Sequence, residues 1–238
     1  MLTWGSGDRV ALLIHGMLGA ASQYHDVGPA LAARGYRAVA IDLPGHGNAP
    51  PAPDATMDLF VDAVLSIVDT PPALAIGHSL GAIVLSHALP RLRPHRAVYV
   101  DVPFSGPSTD PPMSAADLRE RFTTSRAART LERLAARADW SAEDRRVEAE
   151  AAARFDVETA VALERSYVGH LVEAPTVPSL VVRADPSRYV SAERARELQE
   201  MGFWVRSVAG AGHSVWYGHL DEFMGVLDEW AKTVGGRG

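Results

Sequence analysis

A serine framed by glycines, Gly77-His-Ser-Leu-Gly81, sits where a short apolar run ends and a helical pattern begins. That context gives Gly-x-Ser-x-Gly a mechanical meaning. A strand that turns sharply into a helix leaves no room for large side chains two positions either side of the serine. The glycines therefore let Ser79 stand exposed in a strained backbone conformation. The chemistry such a residue can do is nucleophilic attack, and it needs a base, because a hydroxyl is a poor nucleophile until its proton is removed. Histidine has the side chain whose ordinary pKa lies near neutrality, and nine histidines compete for the role. His15, His46 and His78 belong to turns of their own, whereas His213 in Gly210-Ala-Gly-His-Ser214 follows the last strand pattern on a glycine-framed loop, so it is the expected base. The amide of Leu80, at the start of the helical run, is the natural donor to a developing oxyanion, since first-turn amides lack intrahelical partners and the helix dipole favours negative charge there.

Those residues must be held by elements, and the hydrophobic pattern supplies them. Val10–Ile14, Ala38–Ile41, Ala73–Ile76, Ala97–Val100 and Leu180–Val182 are continuously apolar, as strands buried on both faces should be, and Trp204–Val208 is a weaker sixth. Helical spacing runs over Ala21–Ala33, Thr56–Val68, Leu80–Leu89, Ala192–Met201 and His219–Thr233. Strand then helix, repeated, predicts an α/β protein with a parallel sheet and helices on both faces. The rhythm breaks between Val102 and Leu180. There a Pro-rich stretch, Pro103–Pro112, and a second linker, Ala174–Pro178, bracket a helical segment with Leu118, Phe122, Leu131, Leu134, Val147, Phe155, Val161 and Leu171 as its apolar positions. The expected division is a core of residues 1–103 and 178–238 with an inserted helical cap, or lid, over 104–177. Nine arginines from Arg119 to Arg154 interleave with Glu120, Glu132, Glu143, Asp144 and Glu148, which reads as a solvated face laced with ion pairs.

With these motifs in order, the chain resembles the α/β-hydrolase fold superfamily, as a serine-nucleophile member with a helical cap. Val10-Ala-Leu-Leu-Ile-His15-Gly16-Met17 is similar to that family's strand followed by His-Gly-x, Asp42-Leu-Pro-Gly-His-Gly47 to the turn after the next strand, and Gly210-Ala-Gly-His213 to the histidine loop. The resemblance implies a mostly parallel sheet of six to seven strands and a second oxyanion amide at Met17. It also implies an acid between Ser79 and His213 in chain order, to hold the imidazole tautomer. Asp185, just past the Leu180–Val182 strand, is the expected acid. Asp101, at the end of the preceding strand, is the alternative location, and the family's commoner spacing would put the acid near Pro186 or Ser187. Asp42 reads as a turn anchor. His15, Met17, His78, Phe104 and Trp216 are the expected pocket residues, with Phe122, Trp140 and Tyr167 as further aromatic candidates.

Composition excludes much else. There is no cysteine, so disulfides, thiolate nucleophiles and Cys-based zinc sites are out, and Lys232 is the only lysine, which makes a Schiff base improbable. A formal charge of −6 and a pI near 5.8 argue against nucleic acid. No apolar run approaches the length of a membrane span, no secretory signal is read at the N-terminus, and the cytoplasm is the expected location. No metal motif or phosphate loop is found, so no cofactor is expected. A serine at the elbow implies acyl transfer. The expected substrate is a small, largely apolar carboxylic ester, lactone or thioester; carbon–carbon bond hydrolysis, aminopeptidase or perhydrolase chemistry with the same residues, and a non-catalytic receptor, are the alternatives. The oligomeric state is left open.

Overall fold

The computed structural model describes residues 1–102, 104, 112–167, 172 and 174–235. Leu171 and most of the Pro103–Pro112 linker lie outside the described residues. Seven strands, β1 (Leu2–Trp4), β2 (Arg9–Ile14), β3 (Tyr36–Ile41), β4 (Leu74–His78), β5 (Ala97–Val100), β6 (Ser179–Asp185) and β7 (Trp204–Ala209), form one sheet in the order β1-β3-β2-β4-β5-β6-β7. All neighbours are parallel except β1, which pairs antiparallel with β3. The inner strands are apolar throughout because both faces are covered. Ala11 and Leu13 face one core cluster with Tyr24, Trp216 and Phe223, while Leu12 and Ile14 face the other with Phe60, Leu85 and Tyr99.

Helices α1 (Val27–Ala32), α2 (Met57–Leu65), α3 (Leu80–Leu92), α4 (Ala115–Ala127), α5 (Leu131–Leu134), α6 (Ala142–Ala153), α7 (Val157–Ser166), α8 (Ala192–Glu200) and α9 (Leu220–Gly235) complete the described elements. Several start where a short polar side chain can take an orphan amide: Thr56, Ser114, Thr130, Ser141, Asp156 and Ser191 each accept from the backbone three residues on. The helix expected over Ala21–Ala33 is broken into a 3-10 turn at Ala21–Tyr24 and α1. Pro29 is the reason, for it has no amide to continue a helix but is tolerated in the first turn of a new one.

The chain runs from β2 to β3 on one side, then crosses to β4 on the other side of β2. In an open parallel sheet the crevice beyond the strand ends at such a reversal is where functional groups collect. The ends of β2 and β4 are in register there, Ile14 opposite Gly77, so His15-Gly16-Met17 and His78-Ser79-Leu80 emerge side by side. The inserted helices α4–α7 lie between β5 and β6 in the chain. They carry a small cluster of their own, in which Leu118, Phe122, Phe155 and Val161 pack on Leu18 and Met17 of the β2 turn. Trp140 and Val147 join one core cluster and Leu163 the other, so the segment is built into the molecule and is not a detached body. Leu131, expected as apolar packing, is exposed.

Candidate active site

Ser79 links β4 to α3 with φ 51° and ψ −115°, a region that a residue with a side chain rarely adopts. Its amide bonds the Val100 carbonyl at 3.0 Å and its carbonyl takes the amides of Ala82 and Ile83, so the strained residue is tied down on both sides. The flanking glycines are obligatory for packing. A β-carbon at Gly81 would collide with the Ile14 carbonyl, one at Gly77 with the Gly81 carbonyl, and one at Gly16 would lie 3.0 Å from Ser79 Cβ. The Leu80 amide opens α3 with no helical carbonyl behind it. Met17 follows Gly16 in a tight turn closed by a 3.0 Å bond from the Gly19 amide to the Gly16 carbonyl, and Leu18 in that turn is left-handed at φ 63°.

His213 is brought over the strand ends by the loop after β7. Its Nδ1–H donates to Asp101 Oδ2 at 2.8 Å, the tautomer in which the neutral ring carries its lone pair on Nε2. The imidazole is 31% exposed and the Asp101 side chain 1%. Here the structure corrects the sequence reading. Asp185, expected as the acid, is not in contact with His213: it lies on the same face of β6 as Arg183, pairs with that guanidinium at 3.1 Å, and is 49% exposed. Residues two apart on a strand share a face, and Arg183 is itself anchored to the Val190 carbonyl and Ser207, so Asp185 is drawn to the cation and away from the imidazole. Asp101, the alternative, ends the adjacent strand; its amide bonds the Val182 carbonyl at 2.8 Å, and φ 48° turns its side chain toward the histidine loop.

The expected pocket residues are mostly core. His15 is fully buried, with Nδ1–H donating to the Gly16 carbonyl and Nε2 accepting the Leu43 amide, so both nitrogens are spent on holding turns; burial pushes its pKa down to about 4. Phe104 is buried with its ring edge on Tyr99, 5.0 Å between centroids. Trp216 is buried, stacks on Tyr24 and donates its indole N–H to the Gln23 carbonyl at 3.0 Å. Phe122 and Trp140 are also buried. Met17 is half-buried, packed between the core and the inserted helices, and so is Tyr167, whose ring is edge-on to His87 with 6.1 Å between centroids. His78 is tied to the histidine loop: Nε2–H donates to the His213 carbonyl at 2.9 Å, the two rings lie 4.5 Å apart, and burial followed by the repulsion of His213 holds it neutral, well below the usual range. Among the described residues no hydrogen bond joins the Ser79 hydroxyl to His213, and such bonds are often long before substrate arrives.

Asp42 anchors its turn as expected, accepting the amides of Ala21 and Asn48. One group of metal-ligating types comes together among the described residues, His25, Asp26 and Asp144, with ligand atoms within 4.8 Å. Each ring nitrogen of His25 is held by a different carboxylate, Asp26 at 3.1 Å and Asp144 at 3.0 Å, which is how an imidazolium bridges two anions. The arginines of the inserted helices are largely in ion pairs or backbone bonds, Arg119 with Glu158, Arg129 with Glu148, Arg146 with Glu143 and Glu150. Among the described residues no helix is long and apolar enough to cross a membrane.

Comparison with known proteins agrees with this architecture. The model of the alpha/beta hydrolase family matches residues 11–226, and the chain belongs to that family. A pimeloyl-[acyl-carrier protein] methyl ester esterase of Neisseria meningitidis is 42% identical over 72 residues, 30% of this chain, and a serine hydrolase-like protein of Dictyostelium discoideum is 33% identical over 91 residues, 35% of this chain. The matched segments span 27% and 25% of those two proteins. Among solved structures, a bromoperoxidase from Bacillus anthracis superposes with a TM-score of 0.77 at 17% identity, covering 97% of this chain and 94% of that one, a likeness of fold alone.

Proposed function

We propose that this chain is a serine hydrolase that cleaves a carboxylic ester, lactone or thioester of a small, largely apolar substrate through an acyl-enzyme on Ser79. The reading rests on one observation: Ser79 on its strained turn and the bonded pair His213–Asp101 converge at the ends of the neighbouring strands β4 and β5. With Nδ1 committed to Asp101, His213 Nε2 can take the Ser79 proton as the oxygen attacks the carbonyl carbon. The Met17 and Leu80 amides then hold the tetrahedral oxyanion; one such donor is worth about 3–4 kcal/mol. His213 returns the proton to the leaving oxygen or sulfur and next deprotonates water, which attacks the acyl carbon and frees Ser79. Asp101 stabilises the transient imidazolium without itself being protonated. Similarity to a methyl ester esterase supports an ester among the candidate bonds.

The test is labelling with a fluorophosphonate probe, followed by a panel of p-nitrophenyl esters of increasing chain length. Stoichiometric modification of the Ser79 peptide, lost in Ser79→Ala, with hydrolysis that depends on chain length is the expected result. A protein that neither labels nor hydrolyses any of these esters would overturn the reading.

A further inference from the structure

Asp101 is held by more than the histidine. Its Oδ1 accepts the Ala184 amide at 3.1 Å and the Ser187 hydroxyl at 2.7 Å, while Oδ2 is left for His213. The direction of the Ser187 bond is forced. A serine hydroxyl has one proton and two lone pairs, and Ser187 Oγ already accepts the amides of Tyr189 at 3.0 Å and Val190 at 2.9 Å. Both acceptor sites are occupied by the loop's own backbone, so the only remaining capacity is donation, and the carboxylate is the group it meets. The same short loop touches the other partner as well. The Tyr189 ring lies on the His213 imidazole, centroids 4.2 Å apart at 35°, although Tyr189 is 48% exposed.

We propose that Ser187 is a positioning residue that orients Asp101 toward His213, acting from a loop that also braces the imidazole through Tyr189. This rests on the serine-hydrolase reading. Two donors on Oδ1 fix the plane of the carboxylate and draw charge to that oxygen; Oδ2 is thereby aimed at Nδ1–H and its pull on the imidazolium moderated. Among the described residues, the titratable groups that meet the His213 side chain are Asp101 from β5, neutral His78 from β4 and Tyr189 from this loop, while the Arg137 guanidinium, paired with Asp139, lies beside the adjacent Gly212.

The experiment is the second-order rate of fluorophosphonate labelling of Ser79 as a function of pH, in the whole protein and in Ser187→Ala and Ser187→Thr. This rate follows the free-base fraction of His213 and needs no knowledge of the substrate. In Ser187→Ala the rate should fall roughly 10- to 100-fold, as expected for a misaimed catalytic group. The acidic limb should also move to higher pH, because a carboxylate with one donor fewer is a stronger base and holds the imidazolium more tightly. Ser187→Thr, which keeps the hydroxyl, should restore both. An alanine variant with the parent rate and limb, or alanine and threonine variants slowed alike with the limb in place, overturns the proposal. Failure of the unmodified protein to label strikes the hydrolase reading itself and is seen before any Ser187 variant is made.

Discussion

Asp101 and Asp185 end neighbouring parallel strands, yet only Asp101 meets the His213 ring. Asp101→Asn should therefore lower turnover, or the labelling rate of Ser79, by up to ~10⁴-fold. An amide can satisfy Ser187 but presents the wrong group to Nδ1–H and favours the wrong tautomer. Asp185→Asn removes one partner of a half-exposed ion pair and should change the same rate by less than about threefold, in keeping with the small worth of exposed pairs. The opposite ranking would return the acid to β6. Ser79 and His213 were legible as candidates in the sequence because glycine spacing marks them: Gly77 and Gly81 leave no room for a β-carbon, and Gly210 takes a positive φ. The carboxylate partner of His213 was not, since the choice turns on Asp101 adopting a positive φ and on Arg183 capturing Asp185, and neither shows in a strand pattern. Ser187 and Tyr189 are long-range contacts of a loop, with no local signal.

At the level of elements, α6 docks the inserted segment through two carboxylates one turn apart. Asp144 and Glu148 are both buried; the first bonds His25 and its own cap residue Ser141, the second bonds Gln23 and Arg129. Glu148→Ala would strand the Gln23 amide and Arg129 at that interface at a cost of about 1–3 kcal/mol. For a chain of this size that corresponds to a fall in Tm of about 2–6 °C, measurable by calorimetry. Faster proteolysis between α4 and α6 should accompany it. Glu148→Gln, which keeps the shape and one acceptor, should lose less; equal stability in all three would mean the carboxylate does not hold the inserted segment. The strands β2 to β6 could be read from their apolar runs because burial on both faces leaves no ambiguity of period, while β7, at the sheet edge with only two of its six residues buried, gave the weaker signal. Strand β1, three residues and largely exposed, gave no run to read. Phe104 and Trp216, both expected as pocket residues, are core because an aromatic side chain near a strand end can turn under the sheet as easily as toward the cleft.

For the molecule as a whole, the buried histidines dictate a direction for its stability with pH. Burial holds His15 down to about 4 and His46 to about 3, the latter helped by repulsion from His15, and holds His78 well below its ordinary value. A histidine whose folded pKa is lowered contributes stability that is complete above its unfolded value, about 6.5, and is lost as pH falls below it, because the unfolded chain then takes up the proton that the folded one refuses. His25 has the opposite sign. Burial works against its charge, but Asp144 and Asp26 outweigh it and raise its pKa, so its contribution is present below about 6.5 and is lost as pH rises through the folded value. The lowered pKa values of Asp42 and Asp144 protect stability until the pH falls below the ordinary carboxylate range. Between pH 7 and 5 the depressed histidines dominate, and each of His15 and His46 should contribute a loss of about 2 kcal/mol. Urea unfolding across that range should show the free energy falling with acid. In His46→Phe, which keeps the ring packing against Phe60 and Phe155, the slope between pH 6 and 5 should become shallower by about 1 kcal/mol per pH unit. A slope unchanged by that substitution would mean that His46 is protonated in the folded molecule, and that the turn it occupies is open to water.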